Sequence, residues 1–349
     1  MESLDIRTIF LQSNITNTDS AQKILFKFPK ANVIPVESHW NIPQLQDPAL
    51  VKKWNLVKKH TLVVGKIKSL KNTYSGRSTD YISPSHSNGC AMACTYCYVA
   101  RRKGYANPIT VFTNIDDVIK SIDSHSKSLG KKKPNQCDRN HWIYDIGCNN
   151  DVSVDDYLSD NVKQLIDYFA KPSSPKGSFA TKHVNRNLLN YAPKGKTRIR
   201  FSLMPEKIRK LVDVRTSSTI EKLKAINDFV SAGYEVHINF SPVIVYDGWL
   251  EDYEELFEQI VDNTNPKSYL QLKYEVIFLT HNKDLHNINL DWHPKAEALL
   301  WTPENQEDKI SKNGSLNIRY ANKYKTSYVY MFKKLIQRHL PFTSIRYIF

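Results

Sequence analysis

Gly89-Cys90-Ala91-Met92-Ala93-Cys94-Thr95-Tyr96-Cys97-Tyr98 is the stretch from which the rest of the chain can be read. Its cysteines are spaced C-x3-C-x2-C, with a tyrosine on each side of the third. Three thiolates on one loop can each ligate one iron of a cubane 4Fe–4S cluster, which leaves the fourth iron without a protein ligand. Cys90, Cys94 and Cys97 are therefore the candidate metal ligands. A structural zinc site would need a fourth Cys or His at ligand spacing, and His86, though near, does not give the usual paired order. A bacterial ferredoxin motif would need C-x2-C-x2-C and a later cysteine followed by proline. Three buried structural cysteines would share this spacing only by coincidence.

Composition frames that loop. The chain has 349 residues, 41% of them hydrophobic, so it can bury a sizeable core and is not intrinsically disordered. A formal net charge of +14 points to a polyanionic partner such as nucleic acid, or else to a generally basic surface. No apolar run is long enough to span a membrane, and the start, Met1-Glu2-Ser3-Leu4-Asp5, has no apolar secretory core. Three of the five cysteines fall within eight residues, unlike a disulfide scaffold, so the thiols read as reduced and the location as cytoplasmic. Cys137, in the polar stretch Lys133-Pro134-Asn135-Gln136-Cys137-Asp138, reads as an incidental surface thiol.

Around the loop, apolar runs alternate with helical patterns. Leu4–Phe10 and Ala31–Glu37 suggest short strands or loops, and the lysine-rich 51–71 reads as a solvated helix face or as part of a phosphate-tracking surface. Strands are predicted at Ile109–Phe112, Trp142–Ile146, Phe179–Val184, Arg198–Leu203, Glu235–Ile244 and Leu270–Leu279. Helices are predicted at Ile115–Ser128, Val162–Ala170, Thr219–Ala232 and Leu250–Asp262, and Lys171–Gly177 reads as an exposed loop. Strand–helix alternation means parallel βαβ units, hence an α/β fold with a complete or partial barrel whose site residues stand at the C-terminal strand ends. The predicted division is an N-terminal extension over 1–75 packing on the barrel, a barrel over 76–310, and a basic, aromatic section over 311–349.

The motif and its βα context are those of the radical S-adenosylmethionine (SAM) superfamily. From about residue 76 onward the chain resembles the spore photoproduct lyase family more closely still. The resemblance rests on Tyr96 and Tyr98 around the third cysteine and on Tyr144-Asp145-Ile146-Gly147-Cys148-Asn149-Asn150-Asp151. It rests also on the Gly-Trp element that closes Phe240-Ser241-Pro242-Val243-Ile244-Val245-Tyr246-Asp247-Gly248-Trp249 and on the ending Ile345-Arg346-Tyr347-Ile348-Phe349. One residue departs: Asn150 stands where the family pattern has serine.

The resemblance implies a partial parallel (β/α) barrel of the radical SAM type. It implies a 4Fe–4S cluster whose open iron binds SAM, and reversal of the 5-thyminyl-5,6-dihydrothymine dimer in DNA. Cys148 would donate the hydrogen atom, and Tyr96 and Tyr98 would help return the radical so that SAM is regenerated. Lys182, Ser202 and Ser241, in or at the ends of predicted strands, are the candidates for SAM binding. An external electron donor such as flavodoxin or ferredoxin and a monomeric state are implied with them. Arg319, Lys323, Lys325, Lys333, Lys334, Arg338 and Arg346 would contact DNA phosphates, with neighbouring tyrosines stacking or capping the barrel on the substrate side. Two other functions fit the same residues: radical modification of another nucleic-acid base, or a non-catalytic DNA-binding protein with a structural metal site.

Overall fold

The computed structural model describes residues 4–47, 49, 53–97, 99, 107–310, 316–341 and 343–349. The chain divides into two compact units. Met1–Ala93, Val99–Ile199 and Ser231–Glu235 make the first; Cys94–Tyr98, Arg200–Val230 and Val236–Phe349 make the second.

The first unit contains a sheet of five strands in the order β2-β1-β3-β7-β6. These are β1 (Thr8–Gln12), β2 (Asn32–Val36), β3 (Thr61–Gly65), β7 (Ile109–Phe112) and β6 (Ser87–Asn88). All its pairings are parallel except β6 against β7. Every residue of β3, Thr-Leu-Val-Val-Gly, is buried, as expected of a strand covered on both faces. The lysines on either side disguise this run, so the expected helix face over 51–71 reduces to the helix Trp54–His60. Leu62 pairs with Ile109, so the N-terminal strands share a ladder with a strand beyond the cysteine loop.

The same unit carries β4 (Thr73–Tyr74), β5 (Tyr81–Ile82), β8 (Ile143–Asp145) and β9 (Lys176–Thr181) as successive neighbours, with β5, β8 and β9 parallel. Strand β9 starts three residues before its predicted start. Gly177 makes this possible, because a Cβ there would meet the Phe169 ring at 2.5 Å. Lys176 and Gly177 are thus strand residues and not part of an exposed loop. Strand β10 (Thr197–Ser202) begins in the first unit and ends in the second.

In the second unit β11 (Glu235–Val243) and β12 (Lys273–Phe278) run parallel, and β16 (Ser344–Ile348) adds in parallel to β12. The last residues are therefore sheet. An antiparallel trio, β13 (Thr280–Asn282), β15 (Leu316–Tyr320) and β14 (Gln306–Ile310), lies in the same unit. The predicted start of β12 at Leu270 is instead the end of a helix, Pro266–Gln271, begun by a proline and capped by Asn265. Residues 311–315 of the C-terminal section lie outside the described residues. Its aromatic side chains divide between core and surface. Phe332, on the helix Asn322–His339, is fully buried and meets the rings of Phe240, Trp249, Tyr253, Phe257 and Phe278 at centroid distances of 4.8–6.0 Å. Tyr330 is 62% exposed. Among the described residues no helix is long and apolar enough to cross a membrane.

Two expectations fail on burial. Cys137 is 1% exposed, with its thiol 3.2 Å from the Arg77 carbonyl, because Asn135 folds the polar stretch inward. Arg346 is 9% exposed; it donates to His237 and pairs with Glu275, so it is a core cation and no phosphate ligand. Removing the Phe332 ring leaves a cavity inside an aromatic cluster. Phe332→Ala should therefore lose about 3–5 kcal/mol in urea unfolding. A loss under about 1 kcal/mol would mean that the helix does not depend on this contact.

Candidate active site

The cysteine loop opens at a point of backbone crowding. Gly89 has φ +91°, and a Cβ there would sit 2.7 Å from the Pro108 carbonyl oxygen. Only glycine combines that conformation with that approach. Its N–H donates to the Asn149 carbonyl at 2.9 Å, and Gly89 forms an isolated parallel bridge with Asn150. The loop of Cys148 is thereby tied to the residue before Cys90. Buried Lys58 donates from Nζ to the Cys90 carbonyl at 3.0 Å, which brings a cation close to the first thiol.

Within the second unit the rest of the loop has its own anchors. Thr95 N–H donates to the Val212 carbonyl at 2.9 Å, and Asn289 Nδ2 donates to the Thr95 carbonyl at 2.7 Å. Cys97 N–H closes a turn on the Cys94 carbonyl at 3.1 Å. Half-buried Tyr96 donates its hydroxyl to Asp213. Burial, together with the Asp213 carboxylate, pushes the phenol well above its usual range, so it stays protonated. Tyr98 lies outside the described residues.

None of the three loop cysteines forms a disulfide among the described residues; Cys94 is buried, and Cys90 and Cys97 are half-buried. The chemistry of the donor set fits an iron–sulfur cluster: three thiols at C-x3-C-x2-C spacing within one short stretch of chain. His86 is engaged elsewhere. Its Nε2 lies 3.2 Å from Asp155 Oδ2, both side chains are 1–2% exposed, and Ser87 Oγ donates to the same oxygen at 2.5 Å.

Cys148 is half-buried in the loop three residues beyond the end of β8. The residues after it are pinned by carboxylates. Asn150 Nδ2 donates to Asp155 and lies 3.3 Å from His86 Nε2. Asp151 caps the short helix Val152–Asp155, accepts from Thr181 Oγ1 at 2.8 Å and accepts from Lys182 N–H at 3.1 Å. Asp151 is the acidic residue three positions after the downstream cysteine, and its position is that of a cap joining the Cys148 loop to the end of β9. The Asp155–His86 pair has no local signature in the sequence beyond polar residue types at positions that the fold buries.

Of the three SAM candidates, Lys182 follows the last residue of β9 and is half-buried. Ser202 ends β10, is 4% exposed, and receives Lys222 Nζ on its carbonyl at 2.8 Å. Ser241, on β11, precedes a cis peptide bond to Pro242. All three stand at or close to C-terminal strand ends, where α/β barrels collect site residues.

A family model described as "Spore photoproduct lyase" matches residues 6–349. The chain belongs to the spore photoproduct lyase family. A spore photoproduct lyase of Geobacillus sp. (strain Y412MC61) is 26% identical over 295 residues, 83% of this chain and 82% of that one. A spore photoproduct lyase of Bacillus subtilis (strain 168) is 29% identical over 204 residues, 58% of this chain and 57% of its own. Two solved spore photoproduct lyase structures cover both chains fully at TM-score 0.88 and 20–21% identity. One is a double mutant with bound AdoMet and dinucleoside spore photoproduct, and the other is a complex with dinucleoside spore photoproduct. The shared fold is α/β with a curled, half-barrel parallel sheet. As a spore photoproduct lyase family member the chain is an enzyme, a radical SAM lyase, and the non-catalytic and other-base alternatives are not favoured.

Two outcomes test this geometry in the lyase. Gly89→Ala should reduce iron per chain after reconstitution by at least about half, since φ strain alone costs about 1–2 kcal/mol before the clash with Pro108 is counted. Full loading would show that the loop tolerates a side chain. Asp151 is held up at about 6 by burial, against 3.8 for a free carboxyl. Folding thus favours its protonated form, and its contribution to stability falls as pH rises through about 6. The urea midpoint of Asp151→Asn relative to wild type should rise between pH 4 and 6.5; a pH-independent difference would refute the shift.

Proposed function

We propose that this enzyme reverses 5-thyminyl-5,6-dihydrothymine in DNA, with Cys148 as the hydrogen donor to the repaired thymine. The observation that carries the reading is the backbone tie from Gly89 to Asn149 and Asn150, which keeps the Cys148 loop beside the residue before Cys90. When bound through Cys90, Cys94 and Cys97, the cluster and SAM supply a 5′-deoxyadenosyl radical for hydrogen abstraction.

The chain's own residues do the rest. A thiol suits the donor role because its S–H bond is weaker than the C–H bond it makes. Cys148 transfers its hydrogen atom to the thymine methyl radical left after bridge scission and becomes a thiyl radical. Its loop is fixed from below by Gly147, where a Cβ would lie 3.0 Å from the Phe179 side chain, and from behind by Asp151. The Tyr96 phenol, protonated and held by Asp213, serves as a relay that returns the radical, with Tyr98 as its partner. Lys182, Ser202 and Ser241, at or close to strand ends, would be the residues that hold SAM. Asn150, bound to Asp155, keeps the donor loop in place by a link other than serine.

DNA engages the exposed Lys323, Lys333, Lys334 and Arg338, with half-buried Lys325 and Arg319 nearby, the latter paired with Glu307. Tyr324, under Lys323 at 4.6 Å, and Tyr330 offer stacking faces for an unstacked base. A flavodoxin- or ferredoxin-type reductant and a monomeric, cytoplasmic enzyme complete the reading.

The test is repair of ultraviolet-irradiated dry DNA by reconstituted enzyme with SAM and dithionite. Thymine recovery is expected in the wild type, and Cys148→Ala should lower it at least ~10-fold while diverting product to adducts. SAM cleavage without loss of the dimer would reject the repair reading. An unaltered product distribution in Cys148→Ala would remove that cysteine from the mechanism.

A further inference from the structure

A cavity of about 570 Å³ lies in the first unit; no cysteine lines it, and Asn149 beside Cys148 forms part of its wall. Its lining includes Gln12, Glu37, Trp40, Lys68, Lys71 and Asn88. The strand order β2-β1-β3 explains why a cavity forms there. The chain leaves β1 for β2 on one side, then crosses back to β3 on the other. The connections therefore diverge at the C-terminal ends of β1 and β3, which is where open parallel sheets bind ligands. Gln12 is the last residue of β1, Glu37 follows β2, and Lys68 and Lys71 follow β3.

The side chains at this crevice specify a chemistry. Lys68 and Lys71 are exposed and make no ion pair among the described residues, so both can neutralise a phosphate. Trp40 is 54% exposed, an unusual exposure for so large an apolar ring, and offers a stacking face. Asn88 is 7% exposed, and its Oδ1 has no hydrogen-bond partner among the described residues. An unpaired buried acceptor is costly unless a ligand donor completes it. Glu37 can accept hydrogen bonds from ribose hydroxyls, and its charge repels a continuous phosphodiester. The volume is in the range of small-molecule sites, about 300–1,000 Å³.

We infer that this crevice binds a free ribonucleotide: phosphate at Lys68 and Lys71, base on Trp40 with a donor toward Asn88, and ribose hydroxyls at Glu37. A deoxynucleotide in a DNA strand shares the base and phosphate but lacks the 2′-hydroxyl.

Calorimetric titration of the reconstituted holoenzyme, with SAM saturating so that the adenosyl site is filled, separates the two. The probes are AMP, dAMP and a single-stranded oligodeoxynucleotide. AMP should bind saturably below about 1 mM and at least ~10-fold more tightly than dAMP. Trp40→Ala and Lys71→Ala should each weaken AMP at least ~10-fold with unchanged iron content, and Glu37→Ala should bring AMP and dAMP together. No saturable AMP binding, or AMP binding unmoved by all three substitutions, would overturn the inference. So would equal affinity of wild type for AMP and dAMP, or an oligodeoxynucleotide affinity that alone falls in Trp40→Ala. These readouts are binding measurements, so failure of dimer repair leaves them standing, and their failure leaves the repair reading standing.

Discussion

The site depends on the close approach of Gly89 to the backbone at Pro108. With no Cβ, Gly89 can lie against the Pro108 carbonyl in the left-handed region and donate to Asn149. Any larger residue would push the start of the cysteine loop away from β7 and away from the Cys148 loop together. One contact thus relates the loop of Cys148 to the start of the cysteine loop. Lys58, fully buried, donates to the Cys90 carbonyl and so fixes the start of the loop from the same unit.

Buried charge is used repeatedly to lock the parts of each unit. In the first unit Arg198 reaches Glu235, Asp138 and the carbonyls of Ser78 and Cys137, so that β10 gathers segments far apart in sequence. In the second, Glu275 on β12 is fully buried between Arg200 and Arg346, and Arg346 also meets His237. Such groups stay charged inside a protein only because each has a partner, and breaking one leaves the other stranded. The +14 excess is therefore not all surface: part of the basic tail belongs to the core.

Asn150 illustrates how a departure from a family pattern can be absorbed. Its amide donates to Asp155, which also receives Ser87 and faces His86, and all of these lie in the first unit. The serine of the family pattern is thus replaced by a longer side chain that reaches a carboxylate partner. The loop of Cys148 stays fixed, and the departure gives no ground for a different substrate.

Sequence by itself determined the cysteine motif and the alternation of strands and helices. Both are written in short-range spacing: three cysteines within eight residues, and apolar residues at periods of two or 3.6. The helices at Ile115–Ser128 and Thr219–Ser231 and the strand Glu235–Val243 follow from that periodicity almost residue for residue. Tertiary structure alone decided which polar residues are inside. Strand β3 is hidden among lysines, Cys137 among polar residues, and Arg346 in a basic tail, yet all are buried because their partners come from distant segments. The carboxylate that holds Tyr96 lies 117 residues downstream. No local pattern encodes a hydrogen bond between residues so far apart, because the free energy that buries a polar group comes from the partner it meets.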